Sequence, residues 1–347
     1  MSGVRAVVVG CGSIWPVWCQ LLRDRGVVVL GFVDTDYARA TAAAVDSGSA
    51  TAFSGLDEAL RALAGQGLNL LVNLTPPAVH AEVILRGLRA GLDVITEKPL
   101  VVDVPDGQRV VAAAQAAGRR VSVMQNRRHD PTFGPFSAFA ATLPGPVHLS
   151  CDFFVPWTYG GFRDEVPSPL IDDLMIHPMD QARCLIAAPP AWVFCHESTI
   201  AGSWMAGDAV VTATVGFEDG SVFSYRGSWC GAGTRTSWNG QWRLSAHDCS
   251  AHWDGENPAT VVHSEFDDTH RPTGPSTTTD LGTDTPATGH ERGLGEMLDA
   301  LSRRVPSRTD ATNNLHSVAM VAAARASAHL HRIVIVTEVY HHETSWP

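Results

Sequence analysis

From residue 4 to about residue 122, short runs rich in β-branched residues alternate with longer stretches of Ala, Leu and Arg. VRAVVVG (4–10), VVVLGFVD (27–34), LNLLVNLT (68–75), DVITEK (93–98) and RRVSVMQN (119–126) are near-continuous apolar runs, the pattern of strands buried on both faces of a parallel sheet. Between them DEALRALAGQG, AVHAEVILRGLRAG and VPDGQRVVAAAQAAG repeat their apolar positions at helical spacing and end at glycine, the usual C-terminal stop. Strict alternation of this kind predicts right-handed crossovers and a doubly wound, nucleotide-binding α/β domain over residues 1–124.

The pattern changes beyond residue 126. PVHLSCDFFVP, AWVFCHEST, DAVVTATVGF, GSVFSYRGSW and TSWNGQWRLSA follow one another with turns between, and FEDGSVF (217–223) has the Asp-Gly signature of a hairpin. Residues 125–347 are therefore expected to form a second α/β domain, an open and mostly antiparallel sheet with one embedded helix near 170–186. Residues 254–290, rich in Pro, Gly, Ser and Thr, read as a long mobile surface loop. Two helices and a closing strand, IVIVTEVY, follow.

A length of 347 residues with 45% hydrophobic and 18% charged side chains suits two globular domains. The formal charge of -11, with no basic cluster, argues against nucleic acid and anionic membrane surfaces as partners. The start, MSGVRAVVVG, reads as a first strand rather than an export signal, and no run approaches 18 apolar residues. Seven scattered cysteines without a CxxC pair predict free thiols in a reducing cytoplasm and no thiolate zinc site. The basic residues comprise 24 Arg and one Lys, Lys98.

Three motifs carry candidate chemistry. Gly10-Cys11-Gly12-Ser13-Ile14 follows a strand and precedes a helix, where glycines permit a tight turn and let backbone N–H groups approach a pyrophosphate. An ordinary strand-to-helix turn has the same look, but Asp34 stands 22 residues beyond Gly12, where a carboxylate accepts adenosine ribose hydroxyls. The competing reading of Asp34 is a turn cap. As a ribose ligand it repels a 2′-phosphate and favours NAD(H), while Arg39 nearby keeps NADP(H) open. Trp15, where glycine or alanine is usual, reads as a bulky wall beside the pyrophosphate or nicotinamide. Glu97-Lys98-Pro99 ends a strand on the ligand edge, and Lys98 can release a proton where arginine cannot. Asp173 and His177 are spaced i, i+4, with Asp180 a turn later, so a helix puts them on one face as an ion pair or an acid–base set. No third ligand is evident for a metal.

Gly10-Cys-Gly-Ser-Ile, the Asn-Leu-Thr-Pro-Pro-x-x-His run from Asn73 to His80, Thr96-Glu-Lys-Pro, and Asp-x-x-x-His-x-x-Asp from Asp173 to Asp180 together resemble the Gfo/Idh/MocA family of glucose-fructose oxidoreductases and inositol dehydrogenases. The resemblance implies a Rossmann domain followed by an α/β domain whose open sheet builds a homodimer or homotetramer. It makes Lys98 the catalytic lysine, His177 the active-site histidine and Asp173 the substrate-holding aspartate. It puts cofactor contacts at Gly10, Gly12, Ser13, Ile14, Asp34, Leu74, Thr75, Pro76, His80, Glu97, Lys98, Asn126 and Arg127. A tryptophan-rich second domain suits a sugar-like substrate, with Trp157 the favoured contact and Tyr159 and Arg163 its neighbours. The expectation is an NAD(H)-dependent dehydrogenase of a sugar, cyclitol or related polyol, cytoplasmic and without metal. Two other classes stand beside it: an enzyme that recycles bound NAD for epimerisation, elimination or glycoside cleavage, and a silent NAD-binding sensor.

Overall fold

The computed structural model describes residues 3–48, 51–158, 160–284 and 287–341. The chain divides into two compact units, one of residues 1–126 and 290–318, the other of residues 127–289 and 319–347. Residues 290–318, which sequence patterning assigned to the second domain, thus belong to the first. Linear patterning has no means of detecting such a return, because the segment's helical period is the same whichever sheet it covers.

The first unit is built on β1 (Arg5–Val9), β2 (Val28–Val33), β3 (Ala52–Phe53), β4 (Leu70–Asn73), β5 (Asp93–Glu97) and β6 (Val121–Met124). They form one parallel sheet in the order β3-β2-β1-β4-β5-β6, the doubly wound arrangement. Its crossovers are α1 (Trp15–Asp24), α2 (Tyr37–Ser47), α3 (Leu56–Ala62), α4 (His80–Arg89) and α5 (Val104–Ala117). Local chemistry sets their ends. The Asp36 carboxylate accepts from the Ala38 amide at 3.1 Å to start α2, and Asp103 accepts from the Asp106 amide at 2.8 Å to start α5. Gly48 and Gly118 stop these helices in the left-handed conformation, φ 69° and 60°.

Trp15 corrects an expectation. It is buried in the core of this unit, edge-on to Phe32 at 4.8 Å, and forms no wall beside a cofactor. With Pro16 in the first turn, α1 aims Trp15, Trp18, Leu21 and Leu22 at the sheet, so the bulky position is a packing position.

The second unit contains α6 (Phe133–Ala140), β7 (His148–Phe154), α7 (Ile176–Leu185), β8 (Pro190–Ser198), β9 (Val210–Phe217), β10 (Val222–Ser228), β11 (Gln241–Ser245), β12 (Cys249–Trp253), β13 (Thr260–His263) and β14 (Thr277–Asp280). Next come α8 (Gly289–Ser302) and α9 (Ala311–Leu330), whose residues through Val318 belong to the first unit apart from Gly289, and then β15 (Val334–Ile335). The sheet order is β14-β13-β12-β11-β7-β10-β9-β8-β15, antiparallel except for the parallel pair β7 and β10. The 254–290 segment supplies β13 and β14 rather than a structureless loop. Short Thr- and Val-rich pieces add to a sheet edge although they lack a large apolar face. The closing strand shrinks to β15, and Val336–Tyr340 winds into a 3₁₀ turn.

Candidate active site

The strands of the first sheet end level with one another: Val9 pairs with Val33 and Asn73, Asn73 with Thr96, and Thr96 with Val123. The loops that leave β1, β2, β4 and β5 therefore share the carboxyl edge, where open α/β sheets bind ligands. Gly10 takes φ 93°, and a Cβ there would lie 2.7 Å from the backbone carbonyl of Leu74. Only glycine lets β1 turn against β4 at this point. Around Gly12 a Cβ would meet nothing within 4 Å, which leaves the turn open to an approaching ligand, with Ser13 exposed beside it.

Asp34 serves as a cap and keeps capacity for a ligand. Its Oδ2 accepts from the Cys11 amide and its Oδ1 from the Asp36 amide, both at 2.8 Å, which ties the glycine turn to the start of α2. Each oxygen retains a second lone pair. Burial and the Asp34 charge push the Cys11 thiol up to about 12, so it stays protonated beneath the turn.

At the end of β4, Asn73 donates to Thr96 Oγ1 at 3.0 Å and accepts from Thr75 Oγ1 at 2.6 Å, binding two ligand-edge loops together. Leu74 is buried, Thr75 half-buried and Pro76 exposed. His80, expected to touch cofactor, is fully buried. Its Nδ1 is 2.7 Å from the Pro99 carbonyl and its Nε2 2.8 Å from the Thr75 carbonyl, so the ring cross-links the loops around Lys98. Burial lowers the His80 pKa against the opposing pull of those carbonyls.

Glu97 ends β5 and Lys98 follows it, both half-buried. Glu97 Oε1 accepts from the Trp18 indole N–H at 2.7 Å, Oε2 accepts from the Lys98 amide at 3.2 Å, and His290 Nε2 stands 3.8 Å from Oε1. Trp18 and His290 escaped the sequence reading. Trp18 looked like core, and His290 lies in a segment remote in sequence. Asn126 ends the first unit, half-buried.

In the second unit the Asp173–His177 pair does not sit on one uninterrupted α-helix. Leu170–Leu174 forms a π-helical turn, with the Met175 amide donating to the Leu170 carbonyl at 2.9 Å, and His177 lies in the first turn of α7. The extra residue of a π-turn changes the phase between the two side chains. Arg163 grips Asp173 instead, Nε to Oδ2 at 2.7 Å and Nη2 to Oδ1 at 3.2 Å. The buried Asp180 carries a bidentate ion pair with Arg128, at 2.8 and 2.5 Å. That assigns it a structural task which sequence spacing could not reveal.

The Arg163 guanidinium lies over the Trp157 ring at 4.9 Å, and Trp157 packs on Trp229 at 5.4 Å. Arg127 caps the Phe153 ring at 5.7 Å. Burial pulls its pKa down to about 10, opposed by Tyr225, Cys151 and Asp173. Tyr159 lies outside the described residues. Among the described residues no group of three or more His, Cys, Asp or Glu could hold a metal ion, and no helix is long and apolar enough to cross a membrane.

Comparison with known proteins agrees with this geometry. Residues 4–125 match the model of an oxidoreductase family with an NAD-binding Rossmann fold, and residues 145–247 match the GFO/IDH/MocA C-terminal domain. Inositol 2-dehydrogenase 1 of Paenarthrobacter aurescens is 31% identical over 185 residues, 52% of this chain and 53% of the relative. The chain thus spans about half the length of the curated relatives it matches first. An oxidoreductase from Agrobacterium radiobacter, solved with NAD+, L-tartaric acid and magnesium, superposes at a TM-score of 0.83 with 18% identity, covering 97% of this chain and 99% of that one. The WlbA dehydrogenase of Bordetella pertussis, solved with NADH and UDP-GlcNAcA, gives 0.77 and 18%, covering 96% and 98%.

Proposed function

We propose, on the premise that this chain belongs to the Gfo/Idh/MocA family of NAD-binding oxidoreductases, that it is an NAD(H)-dependent dehydrogenase of a secondary alcohol in a sugar, cyclitol or related polyol. The level strand ends carry the reading. Gly10 follows Val9 and Glu97-Lys98 follows Thr96 on strands two places apart, so the dinucleotide turn and the single lysine stand on one edge, separated by roughly 10 Å of strand spacing.

The residues of the edge fit the cofactor: Gly10 and Gly12 leave its pyrophosphate room, and Asp34 retains lone pairs for ribose hydroxyls while repelling a 2′-phosphate. A nicotinamide bound there supplies the two-electron acceptor or donor for the alcohol carbon. Lys98 takes the hydroxyl proton in the oxidative direction and returns it in the reductive one. His177 assists that transfer and Asp173 positions the substrate, roles supported by the family's motif at these positions. The inositol dehydrogenases among the relatives support an alcohol of this kind. We assign the protein to the cytoplasm, in keeping with seven free cysteines, and to a homodimer or homotetramer, in keeping with the exposed Phe194 and Ile335 on adjacent strands of the second sheet.

Lys98→Met and Lys98→Arg test the assignment. Both are expected to bind NAD as the parent does and to lose roughly 10²–10⁴-fold in NADH formation across a panel of polyols. Parent-like turnover by either variant overturns it.

A further inference from the structure

We infer that His80 is a proton-gated positioning residue for Lys98, which in its doubly protonated form ties the Lys98 loop to the end of β4. The inference rests on the dehydrogenase reading above, in which Lys98 carries the proton of the reaction.

His80 Nδ1 lies 2.7 Å from the Pro99 carbonyl and Nε2 lies 2.8 Å from the Thr75 carbonyl. A carbonyl oxygen only accepts, and a neutral imidazole has one N–H and one lone pair. Both contacts are therefore hydrogen bonds only in the imidazolium, which donates from each nitrogen. With a single proton the ring keeps one bond and turns a lone pair on the other carbonyl. The ring is 0% exposed, so it has no solvent surface from which to replace the lost partner.

Burial sets the release of the second proton below the 6.5 usual for histidine, opposed by the two carbonyls and by the charge of Glu97. The fold can thus gain and lose this proton in mildly acid solution. The other ionisable groups near it lie on neighbouring elements. His290 of α8 faces Glu97 at 3.8 Å, and Asp93 stands at the opposite end of β5. On α4 Glu82 pairs with Arg86 and feels Arg89, and on α5 Asp106 pairs with Arg109.

The imidazolium does two things for Lys98. It fastens the residue after Lys98 to the loop that leaves β4, and it adds a positive charge beneath the Lys98 loop, which lowers the proton affinity of the amine. In mildly acid solution, where an isolated amine is silenced, Lys98 keeps part of its capacity as a base.

Lys98 is the single lysine of the chain, so its amine can be followed without turnover. The full-length protein is labelled with trace acetic anhydride from mildly acid to mildly alkaline pH, and the Lys98 peptide is quantified by mass spectrometry. An isolated amine below its pKa loses reactivity about tenfold per unit of acidification. On the acid side of the His80 titration Lys98 is expected to rise above that line by roughly two- to tenfold, the effect of one nearby positive charge at a dielectric between protein surface and water. His80→Gln donates to one carbonyl at every pH, as the neutral ring does, and should restore the straight line. His80→Asn serves if that variant fails to fold, and His290→Asn should leave the rise in place. Ring nitrogen-15 NMR of the parent needs no variant: His80 should gain its second ring proton on acidification, with both N–H protons slow to exchange with water. A straight parent profile overturns the inference. So does a rise that survives in the His80 variants or vanishes in His290→Asn, or a His80 ring that stays neutral until the protein unfolds. NADH formation from polyols is read separately. A His80-dependent rise without NADH formation keeps the coupling of His80 to Lys98 and sinks the dehydrogenase reading, while NADH formation with a straight profile does the reverse.

Discussion

Two glycines separated by one residue in the same turn, Gly10 and Gly12, are expected to fail in opposite ways when each receives a methyl group. In Gly10→Ala the new Cβ falls 2.7 Å from the carbonyl carbon and oxygen of Leu74 and 2.8 Å from the Thr75 amide nitrogen. All three are backbone atoms, so no side chain can swing away. The chain there is also bound in place, because the Leu74 amide donates to the Val9 carbonyl at 2.7 Å. Holding alanine at φ 93° costs about 1–2 kcal/mol, and relieving the overlap by loosening that hydrogen bond costs about 1 kcal/mol more. The sum, roughly 2–4 kcal/mol, lowers the melting temperature by about 3–6 °C for a protein of this size. In Gly12→Ala the methyl meets nothing within 4 Å, so stability should be unchanged. In the proposed binding mode it meets the incoming pyrophosphate instead, and NAD affinity should fall about tenfold or more. Thermal unfolding followed by circular dichroism and NAD titration followed by calorimetry separate the two. A parent-like melting temperature in Gly10→Ala, or parent-like NAD affinity in Gly12→Ala, would refute the account of this turn.

Three further outcomes are expected. Arg128→Met strips the buried Asp180 of its bidentate partner and should destabilise the protein by about 3–5 kcal/mol in urea unfolding, with much of the loss recovered in the Arg128→Met/Asp180→Leu double variant. Burial pushes the Glu197 carboxyl from 4.5 up to about 7, so between those values the folded chain keeps a proton that the unfolded chain has released. Stability contributed by this group is therefore present at low pH and lost as pH rises through that window. Glu197→Gln should flatten the slope and stabilise the protein at neutral and higher pH by roughly 1–2 kcal/mol, a figure reduced for the group's partial solvent access. Asp34→Asn keeps a turn cap while removing the charge, and should narrow the preference for NAD over NADP, measured as the ratio of their dissociation constants.

The parallel sheet was legible because its strands are buried on both faces and so read as unbroken apolar runs, and because glycine marks the end of helix after helix. Gly10, Asp34 and Lys98 could be located for the same reason: each sits just past such a run, on an edge that topology alone defines. What stayed hidden depends on partners far apart in the chain. Nothing near Trp15 says that Phe32 will meet it edge-on, and nothing near Asp173 says that Arg163 will grip it. The spacing of Asp173 and His177 suggested a common helical face, yet one π-turn shifts their phase, and a five-residue irregularity leaves no mark on hydrophobic periodicity. His80 was legible as a motif residue but not in its task, since only the folded loops put a carbonyl at each ring nitrogen.

The return of residues 290–318 to the first unit sets a timetable for biosynthesis. Met297 and Leu298 pack into its core, and the Val123 amide donates to the Thr309 carbonyl at 2.9 Å, bracing β6. Residues 127–289 must be translated in between. At about 5–20 residues per second the ribosome takes roughly 8–33 s over them. Throughout that interval the nascent dinucleotide-binding unit lacks part of its core, with apolar surface open to chaperones. An N-terminal fragment ending near residue 126 should therefore be a poor stand-in for the unit it appears to encode.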